Sequence, residues 1–104
     1  PEYLINGKIA DRKGIMSENG IAAAFNKALK QGCKAIVLDL DEHMSDRQLQ
    51  TNKITKKLLC RLDFSEEAIS ECYIIYRRKA VLITLSDKTK EKILGLLDTI
   101  KAEP

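Results

Sequence analysis

Within the first thirteen residues, the chain carries two carboxylates and an ammonium at spacings that bring them together. Asn6-Gly7 is the strongest short signal for a two-residue β-hairpin, because a type I′ turn needs positive φ at both central positions. With Asn6-Gly7 as the turn, Ile5 faces Lys8, Leu4 faces Ile9, Tyr3 faces Ala10 and Glu2 faces Asp11. Glu2 and Asp11 then have Cβ atoms about 4.5–5.5 Å apart. Lys13, two residues beyond Asp11, points to the same face. Like charges directly opposite one another destabilise a sheet, and a divalent cation such as Mg²⁺, commonly held by one or two carboxylates and waters, would relieve that repulsion. Such an ion polarises a phosphoryl oxygen and lowers the pKa of a bound water. Lys13 would orient that water or stabilise charge building on the phosphate. The implied chemistry is phosphodiester hydrolysis. A plainer reading stands beside it: a solvent-exposed hairpin in which Lys13 balances two acids.

The elements that must position these groups follow in order. Strands are expected over Tyr3–Ile5 and Lys8–Asp11. Ser17 offers an N-cap, and Ile21, Ala24, Phe25, Ala28 and Leu29 recur at helical spacing until Gly32. Lys34–Leu40 is a β-branched and apolar run typical of a buried strand, and Asp41–Ser45 is loop-like. A second helix is predicted over Asp46–Leu62, with Leu49, Ile54, Leu58 and Leu62 inward. Cys72–Tyr76 and Ala80–Leu85 form a second hairpin turning near Arg77-Arg78-Lys79. Ser86 or Asp87 starts a last helix with Ile93, Leu96, Leu97 and Ile100 on one face. The order β-β-α-β-α-β-β-α predicts an α/β fold, a mixed sheet of about five strands with helices packed on it. The first helix makes the strands on either side of it parallel neighbours or near-neighbours.

A chain of 104 residues is one domain with one core. Its net charge of +3 permits an anionic partner without demanding one. No stretch is long and apolar enough for a membrane helix, and no secretory signal pattern is present. Cys33, Cys60 and Cys72 are widely spaced and accompanied by one histidine, which argues against a structural zinc site. They read as reduced thiols in or near the core, in a reducing compartment.

The string Pro1-Glu2, eight intervening residues, then Asp11-Arg12-Lys13 resembles the PD-(D/E)XK nuclease superfamily. The blocks PEYLINGKIADRKG, SENGIAAAF, AIVLDLD and CYIIYRRKAVLI resemble more closely the tRNA-nuclease C-terminal domains of contact-dependent growth-inhibition toxins. They also resemble related domains on phage head-morphogenesis proteins. The resemblance implies a PD-(D/E)XK-like core over residues 1–104, the C-terminal module of a longer protein. It implies Glu2, Asp11 and Lys13 as catalytic residues, and Glu2, Asp11 and the Arg12 carbonyl as ligands of a divalent metal, Mg²⁺ first, with Mn²⁺ or Zn²⁺ as substitutes. The implied partners are tRNA or another nucleic acid and an immunity protein. The implied site of action is the cytoplasm, reached as part of a larger secreted toxin or phage structural protein. The alternative is a non-catalytic interaction or nucleic-acid-binding module of a phage head-associated protein.

Other residues offer nucleic-acid contacts. Ser17 and Asn19 open the first helix, where phosphates bind well, although Ser17 also reads as a plain cap. Lys53, Lys57 and Arg61 form a helical stripe, which serves equally as a phosphate track or a solvated face. Arg77-Arg78-Lys79 crowns the second hairpin. Asp39-Leu40-Asp41 at a strand end permits an aspartate-nucleophile reading, an acid near Lys13 or, more simply, solvated strand-end acids. His43 reads as a surface histidine or a general acid–base group.

Overall fold

The first hairpin has the register that its sequence predicts. In a computed structural model, which describes residues 2–5, 7–15, 17, 19–40 and 49–101, β1 (Glu2–Ile5) pairs antiparallel with β2 (Lys8–Gly14). The partners are Glu2 with Asp11, Tyr3 with Ala10, Leu4 with Ile9 and Ile5 with Lys8, the register expected of a two-residue turn. Gly7 sits at φ +78°, which glycine adopts without a Cβ clash.

β2 does not stop at Asp11, as the sequence suggests, but continues to Gly14. The parallel neighbour β3 (Ala35–Asp39) keeps supplying ladder partners, ending with Lys13 against Leu38 and Gly14 against Asp39. The connection between them is α1 (Gly20–Lys30). β3 then pairs in parallel with β4 (Glu71–Tyr76), which forms a hairpin with β5 (Lys79–Thr84). Among the described residues the sheet order is β1-β2-β3-β4-β5, a mixed sheet with helices packed against it. The carboxyl ends of β2, β3 and β4 therefore lie together at one end of the sheet.

The two faces of the sheet differ. Asp11, Ile36, Cys72 and Ile83 share one face across four strands, and Lys13, Leu38, Ile74 and Val81 continue it. On this side lies the core, where Phe25 and Ala28 of α1, Ile54 and Leu58 of α2 (Thr51–Leu59), and Ile93 and Leu97 of α3 (Lys90–Lys101) pack. The opposite face carries an ion pair toward each end. Lys8 Nζ is 3.3 Å from Glu71 Oε2, and Arg12 pairs with Asp39. The capping residue Asp87 starts the turn into α3. Its carboxylate accepts from the Thr84 N–H at 3.0 Å and the Thr84 hydroxyl at 2.9 Å. These hydrogen bonds hold its pKa below the usual value, so the cap is intact at neutral pH and is lost as pH falls through that lowered pKa.

Helix ends depart from the sequence expectation. α1 starts at Gly20 with Asn19 at the N-cap, not Ser17; the Ser17 carbonyl instead accepts from the Gly20 N–H at 3.0 Å in a turn. Leu29, expected inward, is exposed. α2 is shorter than Asp46–Leu62 at both ends. Residues 46–48 lie outside the described residues, and Gln50 has extended backbone. At the other end the helix closes at Cys60, which leaves Leu62 94 % exposed rather than on an inward stripe. Cys60 is exposed as well, whereas Cys33 and Cys72 are buried as expected. The stretch after α2 turns back through a bridge between Phe64 and Ile69, and both side chains enter the core. No helix among the described residues is long and apolar enough to cross a membrane.

Candidate functional site

Asp11 lies on the core-facing side of β2 and is 0 % exposed. The exposed-hairpin reading therefore fails for this residue, because the face it shares with Ile36 is the one on which the core is built. The Lys13 ammonium is 2.8 Å from Asp11 Oδ2, and the Lys13 side chain keeps 18 % of its surface. Two residues apart on one strand, the pair is made by the strand's own period. A carboxylate buried this deeply needs a cationic or hydrogen-bonding neighbour, and Lys13 supplies one. Glu2 stands directly across the ladder from Asp11 through its backbone; its side chain lies outside what is described.

Arg12, between them in sequence, points to the other face. Its Nε donates to Asp39 Oδ2 at 3.0 Å, and its terminal nitrogen reaches the same oxygen. Asp39 stands across the ladder from Gly14, one residue from Lys13, but its side chain turns with Arg12 to the face opposite Lys13. Asp41 and His43 lie outside the described residues.

Beside Lys13 the surface opens into a hollow of about 280 Å³, bounded by Gly14, Gly20, Ala23 and Lys27. Small side chains on one flank of α1 leave the space, and the first turn of α1 carries no acidic residue. Ser17 and Asn19 sit at the entrance to this helix, Asn19 exposed and without a side-chain cap bond. Lys27 is the residue that sequence reasoning missed here. Its signal was faint but present: Gly20, Ala23 and Lys27 follow i, i+3, i+7 on the flank that meets Lys13.

The three cations of the stripe Lys53, Lys57 and Arg61 have different surroundings. Lys53 is exposed and Lys57 half-buried on α2. Arg61, past the helix end, is engaged by the fold: it donates to Asp63 at 2.9 and 2.6 Å and to Asn26 at 2.8 Å, and lies 5.7 Å from the centre of the Phe25 ring. The Asp63 hydrogen bonds raise its pKa further above the ordinary arginine value. Replacing Arg61 by Met should therefore destabilise the domain by about 1–2 kcal/mol, read as a lower midpoint in urea. An unchanged midpoint would contradict this assignment.

A family model described as the contact-dependent growth inhibition CdiA C-terminal domain matches residues 1–81. The chain belongs to that family. No curated protein matches the chain, and no solved structure does. The matched span of this CdiA C-terminal domain runs from β1 into β5 and so contains β2 with Asp11 and Lys13. The domain is a toxin module, of a kind that typically pairs with an immunity protein.

At the end of the first hairpin the described donor is a single carboxylate, a hard oxygen group of the type that holds Mg²⁺. Asp11 supplies a carboxylate in place, and Glu2 occupies the facing ladder position. Among the described residues no group of three or more His, Cys, Asp or Glu side chains gathers as a metal cluster.

Proposed function

We propose that this toxin domain is a metal-dependent nuclease of the PD-(D/E)XK type, hydrolysing phosphodiester bonds in RNA, with tRNA as the preferred substrate. The observation that carries the reading is the Lys13 ammonium 2.8 Å from the buried Asp11 carboxylate, on the strand position opposite Glu2. A divalent cation held by Asp11 and Glu2, with the Arg12 carbonyl as a further donor, would supply Lewis-acid polarisation and a more acidic water.

The chain's own residues do the rest. Lys13, positioned by Asp11, presents a fixed positive charge to the phosphate as negative charge builds on it. Lys27 and the start of α1 line the adjoining hollow and favour a neighbouring phosphate. Burial of Asp11 keeps water away from the ion pair and strengthens its electrostatics. As a C-terminal toxin module the domain would act in the cytoplasm of a target cell and be held in check by its immunity protein.

The complete burial of Asp11 favours a second reading, a non-catalytic interaction module in which the acid and Lys13 only hold β2 in shape. Incubating the domain with total tRNA and with duplex DNA, in Mg²⁺, Mn²⁺ or Zn²⁺ and again in excess chelator, separates the two. The nuclease reading predicts tRNA fragments that disappear on chelation. Intact substrates under every metal would overturn it.

A further inference from the structure

The chain builds two hairpins and uses different residues to turn them. The first places Asn6-Gly7 between Ile5 and Lys8. The second pairs Tyr76 with Lys79, so its two turn residues are Arg77 and Arg78. Their φ angles are +51° and +65°, and among the described residues no other non-glycine position has positive φ. A two-residue turn matched to the twist of its strands demands this backbone. Asn and Gly adopt it readily, whereas a longer side chain does so under strain from its Cβ. Strain of this sort persists where the side chains are needed at that place.

The place is informative. β4 runs parallel to β2 and β3, so the Arg77-Arg78 turn projects from the same end of the sheet as Lys13. Lys13, Leu38 and Ile74 are level in the ladders, which puts Arg77 two strands across and three residues further along. With about 4.8 Å between strands and about 3.3 Å per residue, the turn stands about 14 Å from Lys13. Arg77, Arg78 and Lys79 are all exposed, and the Arg77 guanidinium lies 5.4 Å from the centre of the Tyr76 ring, which gives it a platform.

We infer that the Arg77-Arg78 turn is a contact for the phosphate backbone of the nucleic acid whose cleavage is proposed at Lys13. The inference takes its ligand from the nuclease reading, but it concerns binding and is measured without cleavage. The turn places two cations beyond the reacting phosphate, and so sets the direction in which the strand leaves the site. Fork-shaped guanidinium groups suit phosphate oxygens in this role.

The test replaces the turn with the chain's own alternative, R77N/R78G, and compares it with R77K/R78K. Binding of labelled total tRNA and of a labelled DNA duplex is measured in chelator over about 50–200 mM salt, alongside thermal unfolding. The R77N/R78G variant is expected to melt several degrees higher, as turn strain is relieved. It is also expected to bind tRNA more weakly, with a salt slope shallower by about 1.5, the loss of two phosphate contacts. R77K/R78K should retain most of the slope. A gain in stability with unchanged affinity and slope would overturn the inference, as would wild-type protein that binds neither nucleic acid. Loss of affinity for the immunity protein alone would reassign the turn to a protein contact. Absence of cleavage when metal is restored, with binding still dependent on the two arginines, would count against the nuclease reading and leave the contact standing.

Discussion

Replacing Asp11 by Ala should destabilise the domain by about 3 kcal/mol, a fall in Tm on the order of 10–20 °C for a chain of this size. The reason is the neighbour left behind. Lys13 keeps only 18 % of its side-chain surface and has its ammonium 2.8 Å from the carboxylate that is removed. A charge held this far from water without its counter-ion costs more than the pair contributes when intact. Removing both charges together should restore stability. Replacing both members, as Asp11→Leu with Lys13→Met, exchanges the ion pair for apolar volume on the face that already holds Ile36, Leu38 and Ile74. Most of the lost stability should return. A double variant as unstable as Asp11→Ala alone would show that the pair is not the source of the effect.

Activity should follow the opposite logic. Asp11→Asn keeps the shape of the side chain and removes its charge, so the fold suffers less than in the alanine variant while the proposed cation site loses a ligand. Lys13→Met removes the fixed positive charge from the reacting phosphate. Each change should lower cleavage by about 10²–10⁴-fold, the range for losing a general acid–base or charge-stabilising group. The Lys13→Met loss should persist at saturating metal and substrate, since that change removes no metal ligand. Cleavage within a few-fold of wild type in either variant would remove these residues from the chemistry.

How much of this could be read in the sequence differs from feature to feature, for physical reasons. The first hairpin was legible to the residue, because turn length dictates register and Asn6-Gly7 dictates turn length. The parallel pairing of β2 with β3 followed from the helix between them. Which face of β2 would be buried was not legible. Its two alternating sets, Ile9-Asp11-Lys13 and Lys8-Ala10-Arg12, mix charged and apolar residues alike, and only the position of α1 decides between them. The Arg12–Asp39 pair was hidden because it depends on two ladders and the face together. Helix ends failed where local signals compete. Ser17 is a good cap that a turn ahead of Gly20 uses through its carbonyl instead. Arg61 continued a periodic stripe on paper, but Asp63 and Asn26 draw it into the fold. Lys27 was overlooked because an exposed lysine on a helix carries no signal until its neighbours across the hollow are known.

The proposed chemistry separates most cleanly from the fold in a single comparison. Wild-type protein and the Asp11→Leu/Lys13→Met double variant, each shown to be folded by a cooperative thermal transition, are incubated with total tRNA in Mg²⁺ and in chelator. The account predicts discrete fragments from wild type in Mg²⁺ alone and intact tRNA from the double variant in both conditions. Fragments from the folded double variant, or from wild type in chelator, would contradict it.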